Sequence, residues 1–256
     1  MKHALFLAAA ILIAGTAHAQ DAKEEPRTRT RVALGPQLVP NFPGSDSVSI
    51  RPFVDVSRAK AGELMIFEAP DESAGFSLIQ RQGFAAGPSI GFQGARDSDD
   101  VGAALPKVGF TFEVGGFAQY EFAQGLRVRA ELRKGIGGHK GLIGNAGVDY
   151  VRRDGDQWLF SIGPRITVAD NRYHDAYFSV APRDAAPSGL RAFDAGGGVQ
   201  AAGVTAGYLH QLTRHWGYST YAKYDRLVGD AADSPIVRSL GSRNQFSAGI
   251  AASYTF

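Results

Sequence analysis

The stretch GLRVRAELRK, residues 125–134, places Arg127, Arg129, Glu131 and Arg133 at every second position. In an extended chain all four point to one face, while Leu126, Val128, Ala130 and Leu132 take the other. A helix would scatter the same residues around its circumference. The stretch before it, VGFTFEVGGFAQYEF (108–122), adds Glu113 and Glu121 to a polar face opposite Val108, Phe110, Phe112 and Val114. Asp149, Arg153, Arg165, Lys223 and Asp225 fall on the polar faces of later alternating segments. Charges arranged this way line a lumen that conducts ions, or they pair with one another and fill it. The hairpin 108–134 sets two glutamates beside three arginines, so mutual neutralisation is the expected outcome.

Other reactive side chains lie between the alternating segments. His139 sits in GGHKG and reads as a turn residue with no second metal ligand at a recognisable spacing. His174, Asp175, Ser179, Asp184 and Ser188 share the long connection 169–196, but no G-x-S-x-G surrounds either serine. Asp230 and Asp233 in GDAADSPIV read as an acidic turn that Ser-Pro closes. The chain has no cysteine, so it forms no disulfide and offers no thiolate. A net charge of +2 with both signs dispersed lacks the concentrated basic face of a nucleic-acid binder. No catalytic residue, cofactor or metal site is expected.

The elements that position these charges are strands. Alternating segments lie near 31–39, 47–57, 62–69, 75–81, 83–93, 108–122, 125–134, 142–152, 157–168, 197–212, 215–228 and 244–256. Many are about ten residues or longer, the length of a tilted membrane strand and more than the usual soluble strand. Their connections alternate between tight (AQG, RRDGD, LTRH) and long (94–107, 169–196, 229–243). Periplasmic turns and extracellular loops give that pattern. The fold class expected is all-β, a transmembrane antiparallel up-and-down barrel of about twelve strands. Ten remain if the short third and fourth stay out of the wall.

The N-terminus fits export. Lys2 and His3, an apolar run from Ala4 to Ala14 and the small-residue site Ala17-His18-Ala19 form a signal peptide over 1–19. A flexible polar tail would follow at 20–30, and the barrel would span 31–256. With the C-terminus on the periplasmic side, Phe122, Trp158, Trp216 and Phe256 fall at one interface as an aromatic girdle facing outer-membrane lipid. Tyr173, Tyr177, Phe178, Leu190 and Phe193 make the long loop unusually apolar. Folded inward they would plug the mouth of the barrel, and deleting 172–192 would then raise channel currents.

Four stretches carry a family likeness over nearly the whole mature chain. They are PNFPGSDSVSIRPFVDV, GGHKGLIGNAGVDY, AYFSVAPRDAAPSGLRAFDAGGGVQ and YDRLVGDAADSPIVRSLGSRNQFSAGIAASYTF. With them the sequence resembles the MipA/OmpV family of outer-membrane proteins, with Phe42 where a Tyr is usual and Ser179 where Gly is frequent. The resemblance implies a Gram-negative outer-membrane location and a non-enzymatic role. That role is a scaffold joining a murein-cleaving lytic transglycosylase to a murein-synthesising penicillin-binding protein, or a surface-interaction protein. A narrow, porin-like solute channel is the alternative. The terminal aromatic strand resembles the signal read by the barrel assembly machinery.

Overall fold

The computed structural model describes residues 28–256. The expected signal peptide lies outside these residues, as does most of the polar tail; the wall already begins at Thr28. Twelve strands form one sheet: β1 (Thr28–Pro40), β2 (Val48–Lys60), β3 (Ala74–Gly75), β4 (Ile79–Arg81), β5 (Phe84–Gln93), β6 (Thr111–Phe122), β7 (Leu126–Gly137), β8 (Leu142–Asp154), β9 (Trp158–Ala169), β10 (Gly198–Gln211), β11 (Trp216–Leu227) and β12 (Asn244–Thr255). Every pairing is antiparallel, and the order runs β2-β1-β12-β11 and on down to β5 and β3, with β4 also on β5. Ten strands are long, while β3 and β4 have two and three residues.

The sheet is inside out relative to a soluble sandwich. In β7 the apolar Leu126, Val128, Leu132 and Ile136 are exposed, whereas Arg127, Arg129, Glu131 and Arg133 are buried. Along β2 the apolar Val48, Ile50, Val54 and Val56 are likewise exposed, while Arg51, Asp55 and Ser57 are half-buried or buried. An apolar outer surface over a charged interior is stable only when the outside solvent is lipid. The main hydrophobic core therefore lies at the end carrying the long connections. There Phe42, Val101, Leu105, Val108, Tyr173, Tyr177, Phe178, Ile236 and Val237 pack together.

Five short helices supply that cap: α1 (Ser98–Val101), α2 (Asn171–Tyr177), α3 (Pro182–Ser188), α4 (Gly229–Asp233) and α5 (Pro235–Leu240). Local chemistry starts each of the larger ones. Asp170 accepts from the Tyr173 N–H at 2.9 Å to begin α2, and Pro182 opens α3. Ser234 caps α5, where Pro235 takes the first position. The opposite end carries only tight turns. Between β4 and β5 the turn is Gln82-Gly83, both with positive φ (44° and 86°), as a two-residue hairpin requires.

Two expectations change. Residues 62–69 do not form a wall strand; from Lys60 the chain leaves the sheet and climbs inside the barrel to Ser73. Its side chains still alternate, with Met65, Phe67 and Ala69 buried, but Pro70 cannot extend a ladder and the carboxylates beyond it are drawn to the lumenal arginines. The segment 75–81 is broken into β3 and β4, both against β5.

Candidate functional site

The lumen is where this sequence concentrates its polar chemistry, and β7 supplies its spine. Arg127, 1% exposed, donates to Glu72 at 2.6 and 2.8 Å, to Gln119 at 2.7 Å and to Asp149 at 3.3 Å. Arg129 lies 3.2 Å from Glu131 and 3.6 Å from Glu72, with its guanidinium 3.8 Å from the centre of the Phe117 ring. Arg133 pairs with Glu113 at 2.8 Å and also with Glu131. Arg165 joins Asp149 at 2.6 Å and Asp71 at 3.1 Å, and Lys223 joins Asp71 at 3.2 Å and Asp225 at 3.1 Å. Arg153 pairs with Asp156 at 2.5 Å near the turn end. Glu121 projects at the same end into a cavity of about 370 Å³ and has no ion-pair partner among the described residues.

Segment 61–73 threads this network, and its acidic residues were not evident from the sequence. Phe67 lies beneath the Arg127 guanidinium at 5.0 Å, and Ser73 donates to Glu131 at 2.6 Å. Asp71 accepts from Thr205 at 2.8 Å as well as meeting its two cations. Burial alone would raise the Asp71 carboxyl, but Lys223 and Arg165 overcome it and hold the group at about 2. Glu68 behaves oppositely. Desolvation first, then repulsion from Asp55 and Glu72, pushes it up to about 7. The available signal was FEAPDES: three carboxylates around a proline, in a chain whose neighbouring strands carry rows of arginine.

Above the network, at the end with the long connections, the helical cap packs around an aromatic cluster. Tyr173, Tyr177 and Phe178 are fully buried, the two tyrosine rings 5.0 Å apart, and Leu190 and Phe193 pack half-buried against them. His139 is not a surface turn residue. It is buried, its ring 4.7 Å from Tyr173 and its Nε2 3.1 Å from Glu113, so it joins cap to lumen. Gly135 makes room for that ring, since a Cβ there would come within 2.3 Å of it. In the same cap Ser179 donates to Asp175 and Ser188 to the Asp184 carbonyl, while His174 contacts the Gly196 carbonyl. Asp230 accepts from the Gly196 N–H, and Asp233 pairs with Arg243.

At the turn end, Phe122, Trp216 and Phe256 are exposed and Trp158 is half-buried. Tyr254 stands between Trp216 and Phe256, 4.9 Å from each. The Phe256 N–H donates to Thr30, tying the last residue to the first strand.

Comparison with known proteins decides the family. The family model described as MltA-interacting protein MipA matches residues 32–256.

The chain belongs to the MipA family.

It is a β-barrel of the bacterial outer membrane. Among solved structures, a bacterial polysaccharide outer membrane secretin is similar over 90% of this chain and 98% of its own, at 6% identity and a TM-score of 0.42. OmpT (in-vitro folded), an outer membrane protein of Vibrio cholerae, is similar over 93% of this chain and 100% of its own, at 11% identity and a TM-score of 0.32. Neither similarity bears on what this MipA-family chain does. No curated protein sequence matches it.

Proposed function

We propose that this MipA-family barrel is a non-enzymatic envelope scaffold that offers its periplasmic rim to murein enzymes. The first partner is a lytic transglycosylase of the kind the family is named for, and the second a murein-synthesising penicillin-binding protein. The observation that carries the reading is segment 61–73: it occupies the lumen and spends the wall's arginines on Asp71 and Glu72, leaving a plugged barrel with a rim to present. The rim includes exposed Leu64 and Leu212, and the cavity lined by Glu121, Phe122, Leu126 and Tyr150. A standard interface needs about 800 Å² per partner, so docking would use several turns at once.

Purified full-length protein and a lytic transglycosylase, mixed in detergent, test this. Binding lost in Glu121→Lys or Leu64→Ser, in a barrel that still resists SDS until heated, is the expected result. Absence of binding together with steady ohmic steps in a planar bilayer would replace the scaffold by the narrow channel. A surface-interaction role would survive if binding mapped instead to the cap.

A further inference from the structure

The sheet does not close by hydrogen bonds. β1 meets β12, but among the described residues β2 and the β3–β5 edge share no ladder. Above Ala74, which pairs with Ile90, residues 91–93 of β5 have no strand on that side. Unpaired strand edges in hydrocarbon are costly, so a seam at this position needs something to cover it. Pro52 marks the same edge from the sequence side: it stands opposite Pro36 in β1, and a proline is tolerated in a strand where no ladder N–H is needed.

A cavity of about 880 Å³ passes through the seam. Inside the barrel it is lined by Gln37, Lys223 and Ser247, and outside by Pro52, Phe92 and Phe110. Phe92 and Phe110 are 62% and 58% exposed, with rings 6.1 Å apart. The volume is within the range of about 300–1,000 Å³ typical of ligand sites. Arg51 stands at the gap. Its guanidinium donates to the Asn41 carbonyl at 2.9 Å and reaches across to Gly94, beyond the end of β5. The other lumenal cation lining this cavity, Lys223, already has two carboxylates; Arg51 has none within ion-pair distance among the described residues. The opening lies toward the long-loop end of β2 and β5, and its outer rim is apolar.

We propose that the β2–β5 seam is a lateral site for one phosphate-bearing lipid of the outer leaflet, its phosphate on Arg51 and an acyl chain along Pro52, Phe92 and Phe110. A guanidinium recognises phosphate through two parallel N–H bonds, and a mouth facing the bilayer is reached only by what the bilayer contains. The site is independent of the scaffold reading, since it lies at the opposite end of the wall from the periplasmic rim.

The test is native mass spectrometry of the full-length protein with diphosphorylated lipid A, the same lipid without phosphates, and inorganic phosphate. The expected result is one tightly retained lipid A, weaker retention of the dephosphorylated lipid, and no displacement by inorganic phosphate at equal concentration. Arg51→Gln should weaken retention by about tenfold or more and Arg51→Lys by less, because hydrogen bonds to charged groups are the strong ones. Phe92→Ser should weaken both lipids together. A lipid-facing control, Leu132→Ser on β7, should change nothing, and heat-modifiable migration on SDS gels confirms that each variant folds. Retention equal in Arg51→Gln and the parent overturns the proposal, as does displacement by free phosphate or the absence of any retained lipid.

Discussion

At the scale of single residues, the lumen is built with redundancy. Arg127 is its centre, holding Glu72 from the segment and Asp149 from the wall. Replacing it by leucine strands Glu72 beside Arg129 alone, and losing one partner of a buried pair costs about 3–5 kcal/mol. Urea unfolding followed by the emission of Trp158 and Trp216 should show a loss of that order; an unchanged midpoint would remove Arg127 from the centre. Asp71 and Glu68 give the segment a pH optimum. The Asp71 carboxyl is depressed to about 2, so its stabilisation is present above the ordinary carboxylate range and is lost as pH falls toward 2. Glu68 is raised to about 7, so its neutral form is favoured at low pH and its contribution fades as pH rises through about 4.5 to 7. That side chain still reaches lumenal water, so screening keeps its effect small. Protection factors across 61–73, taken relative to the intrinsic exchange rate at each pH, should be highest near pH 4–5; Asp71→Asn should abolish the acidic arm and Glu68→Gln the other.

At the scale of elements, we propose two obstructions in series. The cap packs over the mouth around Tyr173 and Tyr177, and segment 61–73 runs through the lumen below. Deleting 172–192 alone should therefore leave the barrel electrically silent, contrary to what the cap by itself would suggest. Replacing 61–73 with a short Gly/Ser link should not unfold the wall. Each cation the segment touches keeps a second carboxylate there: Arg127 and Arg165 keep Asp149, Arg129 keeps Glu131, and Lys223 keeps Asp225. Only the double deletion should give steady currents in a planar bilayer. Current from the cap deletion alone would mean that the segment does not block the lumen.

For the whole molecule, closure on one side depends on the chain ends. β12 pairs with both β1 and β11, and Phe256 donates its N–H to Thr30 while leaving its ring 71% exposed toward lipid. Phe256→Ser removes no buried contact of the lumen. It should leave the heat stability of refolded protein within about 0.5 kcal/mol, as for other surface changes, yet lower the amount assembled in cells. Equal amounts in outer-membrane fractions would show that the terminal aromatic is not read during assembly.

Period two was legible at once in β6, β7, β9 and β11, because lipid outside and charge inside force opposite residue types onto the two faces of one strand. Length and alternation therefore specify the wall strands, and in β7 they put Arg127, Arg129, Glu131 and Arg133 on the buried face. The same rule misread 62–69. A segment inside the lumen also has a wet side and a packed side, so Leu64 to Ala69 alternates as a wall strand would. His139 was likewise opaque, since GGHKG looks like a surface turn until α2 folds over it from thirty residues away. Periodicity reports the two environments on either side of a strand. Which carboxylate meets which arginine, and where the sheet is left open, depends on residues distant in sequence, and only the tertiary structure brings them together.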